Sequence, residues 1–270
     1  MRYFLIFCIC SISFFSCDKP KSAKIKRLEF HKPVIKQSEI TDSVKYLPSD
    51  SLEQADPIFL GKYKFTDSLF VSGDRFADRQ RDSSIYRDFI DEHIVWRSDS
   101  LYSDGFELYP DYSAAIKYRH YEKEYNFYYP LYIVNQTPKN KIFIGKDSHV
   151  FGLQEARHKD GNWYPIEVKG YDFCGNGYWG LIVHPREFIT VLLPKYNGDF
   201  ETQIRIRLKI GDNTYVTKPF IGKINSSQFY LRRNDKWYLE SLGSIYTFFY
   251  GTLPIQARNK KFSEHVVTAY

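Results

Sequence analysis

Cysteine is scarce in this chain: there are four in 270 residues, and beyond residue 17 only Cys174 remains. The polypeptide after that point cannot close an intrachain disulfide, so its stability has to come from a core and not from covalent staples. Long apolar runs are also missing. The longest, Tyr3 to Phe15, stops well short of the roughly 20 residues a membrane-spanning helix needs. No glycine-rich phosphate loop and no Gly-x-Ser-x-Gly occur, and no two of the seven His stand at a His-x-x-x-His spacing. His149 and His158 could meet across strands, but two His alone do not make a zinc site. Neither a metal nor a cofactor is expected. Internal repeats are absent as well.

Aromatic residues are abundant instead, at 18%, with 23 Tyr and 22 Phe against a single Met. Tyr and Phe favour pleated, half-buried surfaces, so this bias points to β structure before any motif is read. An apolar content of 43% supports a folded chain large enough for one large or two small domains. The formal charge of +6 comes from both signs interspersed, without the clustered basic face that nucleic-acid binding needs, and no nucleic-acid partner is expected.

The amino terminus carries the most specific pattern. Arg2 precedes the Tyr3 to Phe15 run, which closes on Ser16-Cys17-Asp18-Lys19: a cationic start, an apolar stretch of signal length and a small residue directly before a Cys. Over residues 1–19 the chain resembles bacterial lipoproteins, and Phe14-Phe15-Ser16-Cys17 is similar to the relaxed signals of Bacteroidota. The resemblance implies that residues 1–16 are a cleaved signal peptide. Cys17 would then be the first mature residue and carry acyl chains such as palmitate, with the membrane as partner through that lipidated Cys17. An ordinary secretory signal and a retained anchor are the alternatives. Asp18 directly after the Cys resembles the inner-membrane retention signal of enteric bacteria, whereas the charged Asp18-Lys19-Pro20-Lys21 resembles the stretch that accompanies surface export in Bacteroidota, without its acidic pair; the expected location is the bacterial cell envelope, at the outer membrane. Two or more acyl chains suffice to hold a protein stably there.

Five segments follow from composition. After the signal at 1–16, residues 17–57 are rich in Lys, Ser, Asp and Pro and read as a flexible tether, unable to bury enough apolar surface to become ordered. Asp42-Ser43-Val44, Asp50-Ser51-Leu52, Asp67-Ser68-Leu69 and Asp99-Ser100-Leu101 resemble Bacteroidota O-glycosylation tripeptides, and read equally as turns and helix starts. Residues 58–104 are mixed, with short strands at Ile58-Phe59-Leu60 and Lys62-Tyr63-Lys64-Phe65, and a short amphipathic helix within Ser84 to Trp96. Residues 105–229 hold short β-branched and aromatic runs parted by turn residues. The clearest is Thr202 to Ile210, where Ile204, Ile206, Leu208 and Ile210 alternate with Gln203, Arg205, Arg207 and Lys209, followed by a Gly211-Asp212-Asn213 turn into a hairpin. Residues 230–270 form a C-terminal extension. The expected fold is therefore mainly β, an immunoglobulin-like antiparallel β-sandwich of about seven strands, preceded by the tether and the small mixed segment.

Chemistry is less legible. Arg205, Arg207 and Lys209 form a basic stripe on one strand face, which reads either as a solvated face or as a grip for an acidic glycan or phosphate. Trp163 and Tyr164 read as core packing or as a sugar-stacking platform. Cys174-Gly175-Asn176-Gly177 reads as a sharp turn with a structural thiol; a catalytic reading would make Cys174 a nucleophile with His184 or His149 as base. Gln154-Glu155-Ala156, Trp163 to Glu167 and Phe220 to Asn225 resemble exported Bacteroidota proteins of unassigned activity, from which no catalytic residue carries over. The functional expectation is a lipid-anchored envelope protein whose sandwich is a non-catalytic binding or scaffold module for a glycan or an envelope protein. The alternative is an envelope hydrolase acting on glycan or peptide.

Overall fold

The structure, a computed structural model, describes residues 29–47, 53–54, 57–74, 89–90, 102–119, 124–146, 150–168, 177–230, 243 and 245–251. In chain order the strands begin with β1 (Ile35–Gln37), β2 (Val44–Lys45), β3 (Glu53–Gln54), β4 (Ile58–Lys64), β5 (Leu69–Val71) and β6 (Phe89–Ile90). The middle of the chain gives β7 (Glu107–Pro110), β8 (Ile116–Tyr118), β9 (Tyr125–Val134), β10 (Lys141–Lys146), β11 (Gly152–Arg157) and β12 (Trp163–Pro165). Then come β13 (Glu167–Val168), β14 (Tyr178–Val183), β15 (Glu187–Pro194), β16 (Phe200–Ile210), β17 (Asn213–Val216) and β18 (Phe220–Ile224). The protein is mainly β, arranged in several sheets.

The central sheet runs β2-β9-β15-β4, with β7 and β8 also paired to β9. Its two long strands are buried on both faces. Tyr129, Leu131 and Ile133 of β9, with Ile189, Val191 and Leu193 of β15, join Ile206, Leu208 and Ile210 of β16 and Phe143, Leu181 and Val183 of β10 and β14 in one core layer. The alternate residues Tyr128, Tyr132, Val134, Phe188 and Leu192 face a second layer with Ile58, Leu60, Leu69, Val71, Ile116, Tyr118 and Phe30. A strand covered on both sides cannot afford the alternating polar residues of a half-solvated one, which is why β9 and β15 read as continuous apolar runs.

Pro130 sits inside β9, where a missing N–H would ordinarily cost a ladder bond. Its carbonyl accepts the Asp111 N–H at 2.9 Å, so its ring nitrogen faces the same flank. There β9 changes partner, from Pro110↔Leu131 in β7 to Ile116↔Tyr128 in β8, and no ladder donor is needed.

A second sheet runs β12-β11-β16-β17, with β18 also on β16. In β16 the even residues 204 to 210 are buried and the odd ones half-exposed, as the alternation predicts. Ile210 pairs with Asn213 across the expected hairpin, and Gly211 takes the left-handed φ of +56° that the tight turn requires. A third sheet is β10-β14-β6, and β1-β5 and β13-β3 are short parallel pairs.

The tether expectation fails over residues 29–47. Phe30 is 7% exposed, with its ring within 5.1–5.7 Å of Phe65, Tyr109, Tyr132 and Phe188. β1 pairs with β5, and β2 with β9. Phe30, with Ile35 and Leu47 packed against the same cluster, anchors a mostly polar segment to a core made by distant strands, and a local count of apolar residues cannot register that. The 104/105 boundary marks no separate body either, since β4 forms the edge of the central sheet against β15. Within the expected Ser84–Trp96 helix, Phe89–Ile90 is a strand paired with Gly180 and Leu181; the rest of that segment lies outside the described residues. In the C-terminal extension, residues 245–250 are helical, and Ile245 and Phe249 are buried with Phe151, Leu153 and Val168. Among the described residues no helix is long and apolar enough to cross a membrane.

Candidate functional site

The expected basic stripe is occupied from within the molecule. Register places Glu155 of β11 directly across from Arg205 and diagonal to Arg207. Its side chain is fully buried; Oε2 accepts from Arg205 Nε at 2.6 Å and Oε1 from Arg207 Nε at 3.2 Å, while the Tyr250 hydroxyl also donates to Oε1. Each cation lies under an aromatic ring. Arg205 is 4.2 Å from the centre of Trp163, Arg207 4.5 Å from Tyr250, and Lys209 Nζ 4.4 Å from Phe248, all within cation–π range. Lys209 Nζ also donates to the Phe248 carbonyl at 3.1 Å.

Four of the five body residues singled out in the sequence, Trp163, Arg205, Arg207 and Lys209, therefore meet on one face. That face fastens the C-terminal helical residues to the second sheet. Its two guanidinium charges are half cancelled by Glu155, and burial together with Glu155 pushes the Tyr250 phenol well above its ordinary value. Tyr164, one residue along β12, points to the other face. Its hydroxyl donates to Asp160 at 2.8 Å and its ring packs near His158 and Phe229. Cys17, Cys174 and His149 lie outside the described residues. His184 Nδ1 is 3.0 Å from Asn140 Oδ1. Ser43 and Ser68 of the Asp-Ser tripeptides are exposed, and Ser51 and Ser100 lie outside the described residues.

A second arrangement, which the sequence did not single out, lies where β15 ends beside β18. A shallow groove is lined by Tyr46, Tyr112, Lys195, Tyr196, Asn197, Glu201, Ile221, Gly222 and Lys223. Ile221 is 59% and Tyr46 41% exposed, although both are large and apolar-bodied. The Tyr112 ring is locked between Tyr129 and Phe220, each at 4.9 Å between ring centres. Gly222 lets the β18 backbone pass: a Cβ there would come within 2.9 Å of the Tyr112 hydroxyl, which accepts the Lys223 N–H at 3.4 Å.

Lys195 spans the groove wall. Its Nζ donates to the Tyr112 and Ala114 carbonyls at 2.8 and 3.0 Å and lies 4.8 Å over the Tyr112 ring. Burial holds its pKa below the ordinary lysine value, against a smaller opposing pull from Asp111.

Beneath the groove runs a closed polar network. The Tyr196 hydroxyl donates to Glu167 Oε1 at 2.8 Å, Gln154 Nε2 donates to the same oxygen at 2.6 Å, and the Gln154 N–H donates to Oε2 at 2.9 Å. Tyr129 completes it with a 2.6 Å bond to Gln154 Oε1, and Gln154 also donates to the Pro194 carbonyl at 2.9 Å. Burial, then the negative Glu167, pushes the Tyr129 and Tyr196 phenols well above their ordinary value. A satisfied buried network rigidifies its surroundings, so the groove floor is preorganised.

The groove offers aromatic and apolar faces edged by amide, ammonium and carboxylate groups, the complement of a sugar ring with its C–H face and hydroxyl rim. It is lined by one carboxylate, Glu201, whereas glycoside hydrolysis ordinarily works through a pair. Among the described residues no cluster of His, Cys, Asp or Glu is arranged to hold a metal. No protein-family model, no curated protein and no solved structure matches this chain.

Proposed function

We propose that this protein is a lipid-anchored cell-envelope lipoprotein whose β body is a non-catalytic binding module, holding a glycan in the Tyr46–Tyr112–Ile221 groove. The observation that carries the binding role is the groove itself: exposed Ile221 and Tyr46 beside a fixed Tyr112, over a floor locked by the Gln154–Glu167–Tyr196 network. Its open shape favours recognition over chemistry, because catalysis by paired carboxylates would call for a second acid in the lining. An immunoglobulin-like arrangement of residues 105–229 belongs to the same reading, supported by the β9/β15 layer facing β16 across Leu131, Val191, Ile206 and Leu208.

The anchoring part rests on the Ser16-Cys17 junction and on chain geometry. Phe30 is fixed in the core, and residues 17 to 30 reach at most roughly 45 Å, so acylated Cys17 would hold the body close to the membrane surface. Two measurements test the proposal. Cys17→Ser should move the protein from the membrane to the soluble fraction; an unchanged distribution would defeat the anchor. Calorimetric titration of the body with a panel of neutral tri- to hexasaccharides should show saturable binding that Tyr46→Ala and Ile221→Ala each weaken at least fivefold. Equal binding by both variants would remove the groove from the account.

A further inference from the structure

At the opposite end of β15 from the groove, the turn His184–Pro185–Arg186–Glu187 breaks a local rule. Its Glu187 N–H bonds to the His184 carbonyl at 3.1 Å, and Arg186 stands third in the turn with φ of +67°, the only positive φ outside glycine among the described residues. Pro second and a positive φ third is the type II pattern, which strongly favours Gly or Asn at that third place. The conformation is held from several sides. The Arg186 N–H donates to the Asn135 carbonyl and its own carbonyl accepts from Phe65, both at 3.0 Å, while the His184 N–H donates to Glu187 Oε2 at 2.9 Å. Glycine would satisfy every one of these backbone bonds without strain. The chain instead places a long cationic side chain there.

That side chain borders a depression lined by Lys64, Phe65, Thr66, His184, Pro185, Arg186 and Glu187. The acid in this lining is already engaged: Lys62 Nζ sits 3.1 Å from Glu187 Oε2, with both side chains largely buried. Asp67, at the adjoining turn, accepts the Lys64 N–H at 2.7 Å. Lys64 and Arg186 are exposed, and among the described residues neither side chain is in an ion pair. Two exposed cations, a Thr hydroxyl and an imidazole thus surround a hollow with an apolar wall of Phe65 and Pro185. Backbone strain of this kind clusters at ligand clamps and active sites, and here it stands at a cavity edge.

We infer that this turn, with Lys64 and Thr66, is a second ligand site that takes a small oxyanion, the phosphate or carboxylate of an acidic substituent. Arg186 supplies the planar fork suited to two oxygens, and Lys64 and Thr66 supply further donors. The site is independent of the groove, since the eight residues of β15 put roughly 25 Å between them.

The test uses the protein from Cys17 onward at fixed ionic strength, so that screening cannot mimic binding. Titration with inorganic phosphate and, separately, with galacturonate should show saturation by at least one; phosphate alone would assign a phosphoester, galacturonate alone a uronic acid. Arg186→Gly should weaken that binding at least tenfold while raising Tm by about 2 °C or more, since it removes the backbone strain. Lys64→Gln, at an ordinary extended position, should weaken it at least threefold with Tm unchanged. The inference is overturned if neither anion saturates the wild type, or if both variants bind as the wild type does. Should Arg186→Gly lose stability, Lys64→Gln alone decides, retention of binding counting against the site. Groove variants such as Tyr46→Ala should leave anion binding untouched, so failure of this site and failure of the groove are told apart.

Discussion

Tyr132 and Thr190 face each other across β9 and β15, both fully buried, and neither hydroxyl has a hydrogen-bond partner among the described residues. Burial drives the Tyr132 phenol far above its ordinary value, which records the same desolvation. A buried hydroxyl without a partner contributes only cost, so Tyr132→Phe should raise stability by about 1 kcal/mol in urea unfolding. A drop instead would mean that the hydroxyl is satisfied in solution. Glu155 is the opposite case. It is the shared acceptor for Arg205, Arg207 and Tyr250, and removing its charge leaves two half-buried guanidinium groups facing each other. Glu155→Gln should cost about 3–5 kcal/mol by the same measurement. A loss under 1 kcal/mol would show the pair to be screened by solvent.

Among the elements, the segment before β4 is where composition and structure part most sharply. Residues 29–47 carry their apolar side chains singly or in pairs among polar ones, yet Phe30 enters the second core layer and β1 and β2 pair with β5 and β9. Phe30→Ala should therefore destabilise the whole body by about 3–5 kcal/mol, while a true tether would register nothing. Denaturant midpoints of the two proteins decide it. β11 shows the same problem from the other side. Gly152-Leu153-Gln154-Glu155-Ala156-Arg157 has no strand-like run, because its two central residues are polar. It is a strand because β12 and β16 flank it, Gln154 finds Glu167 and Tyr129 on one face, and Glu155 finds the arginines on the other. The β16 hairpin, by contrast, needed nothing beyond its alternation and Gly211.

On the scale of the molecule, the aromatic excess has an alkaline consequence. Tyr109 and Tyr215 are pushed up to about 12, each first by burial, with the Glu107 hydrogen bond adding to the rise at Tyr109; Tyr129, Tyr196 and Tyr250 are held well above the ordinary value. A folded-state pKa above the unfolded one contributes stability that is complete below the ordinary value of 10.0 and is lost as pH rises through 12. Urea midpoints should therefore fall steeply over that window, with tyrosinate absorbance appearing together with loss of structure. Tyrosinate forming gradually while the fold persists would contradict the assignment.

Local sequence determined whatever depends on neighbours along the chain: the β bias of a Tyr- and Phe-rich chain, the alternating strand β16, and the hairpin turn into β17. It also marked Trp163, Arg205, Arg207 and Lys209, which do converge on one face. Only tertiary structure decided what that face does, because Glu155 reaches it from 50 residues away and Tyr250 reaches Glu155 from 95. The same holds for the groove, assembled from Tyr46, Tyr112, Lys195 and Ile221, and for Phe30 in the core. Periodicity reports which side of an element is apolar; it carries no information about which distant side chain arrives to neutralise a charge or fill a hollow.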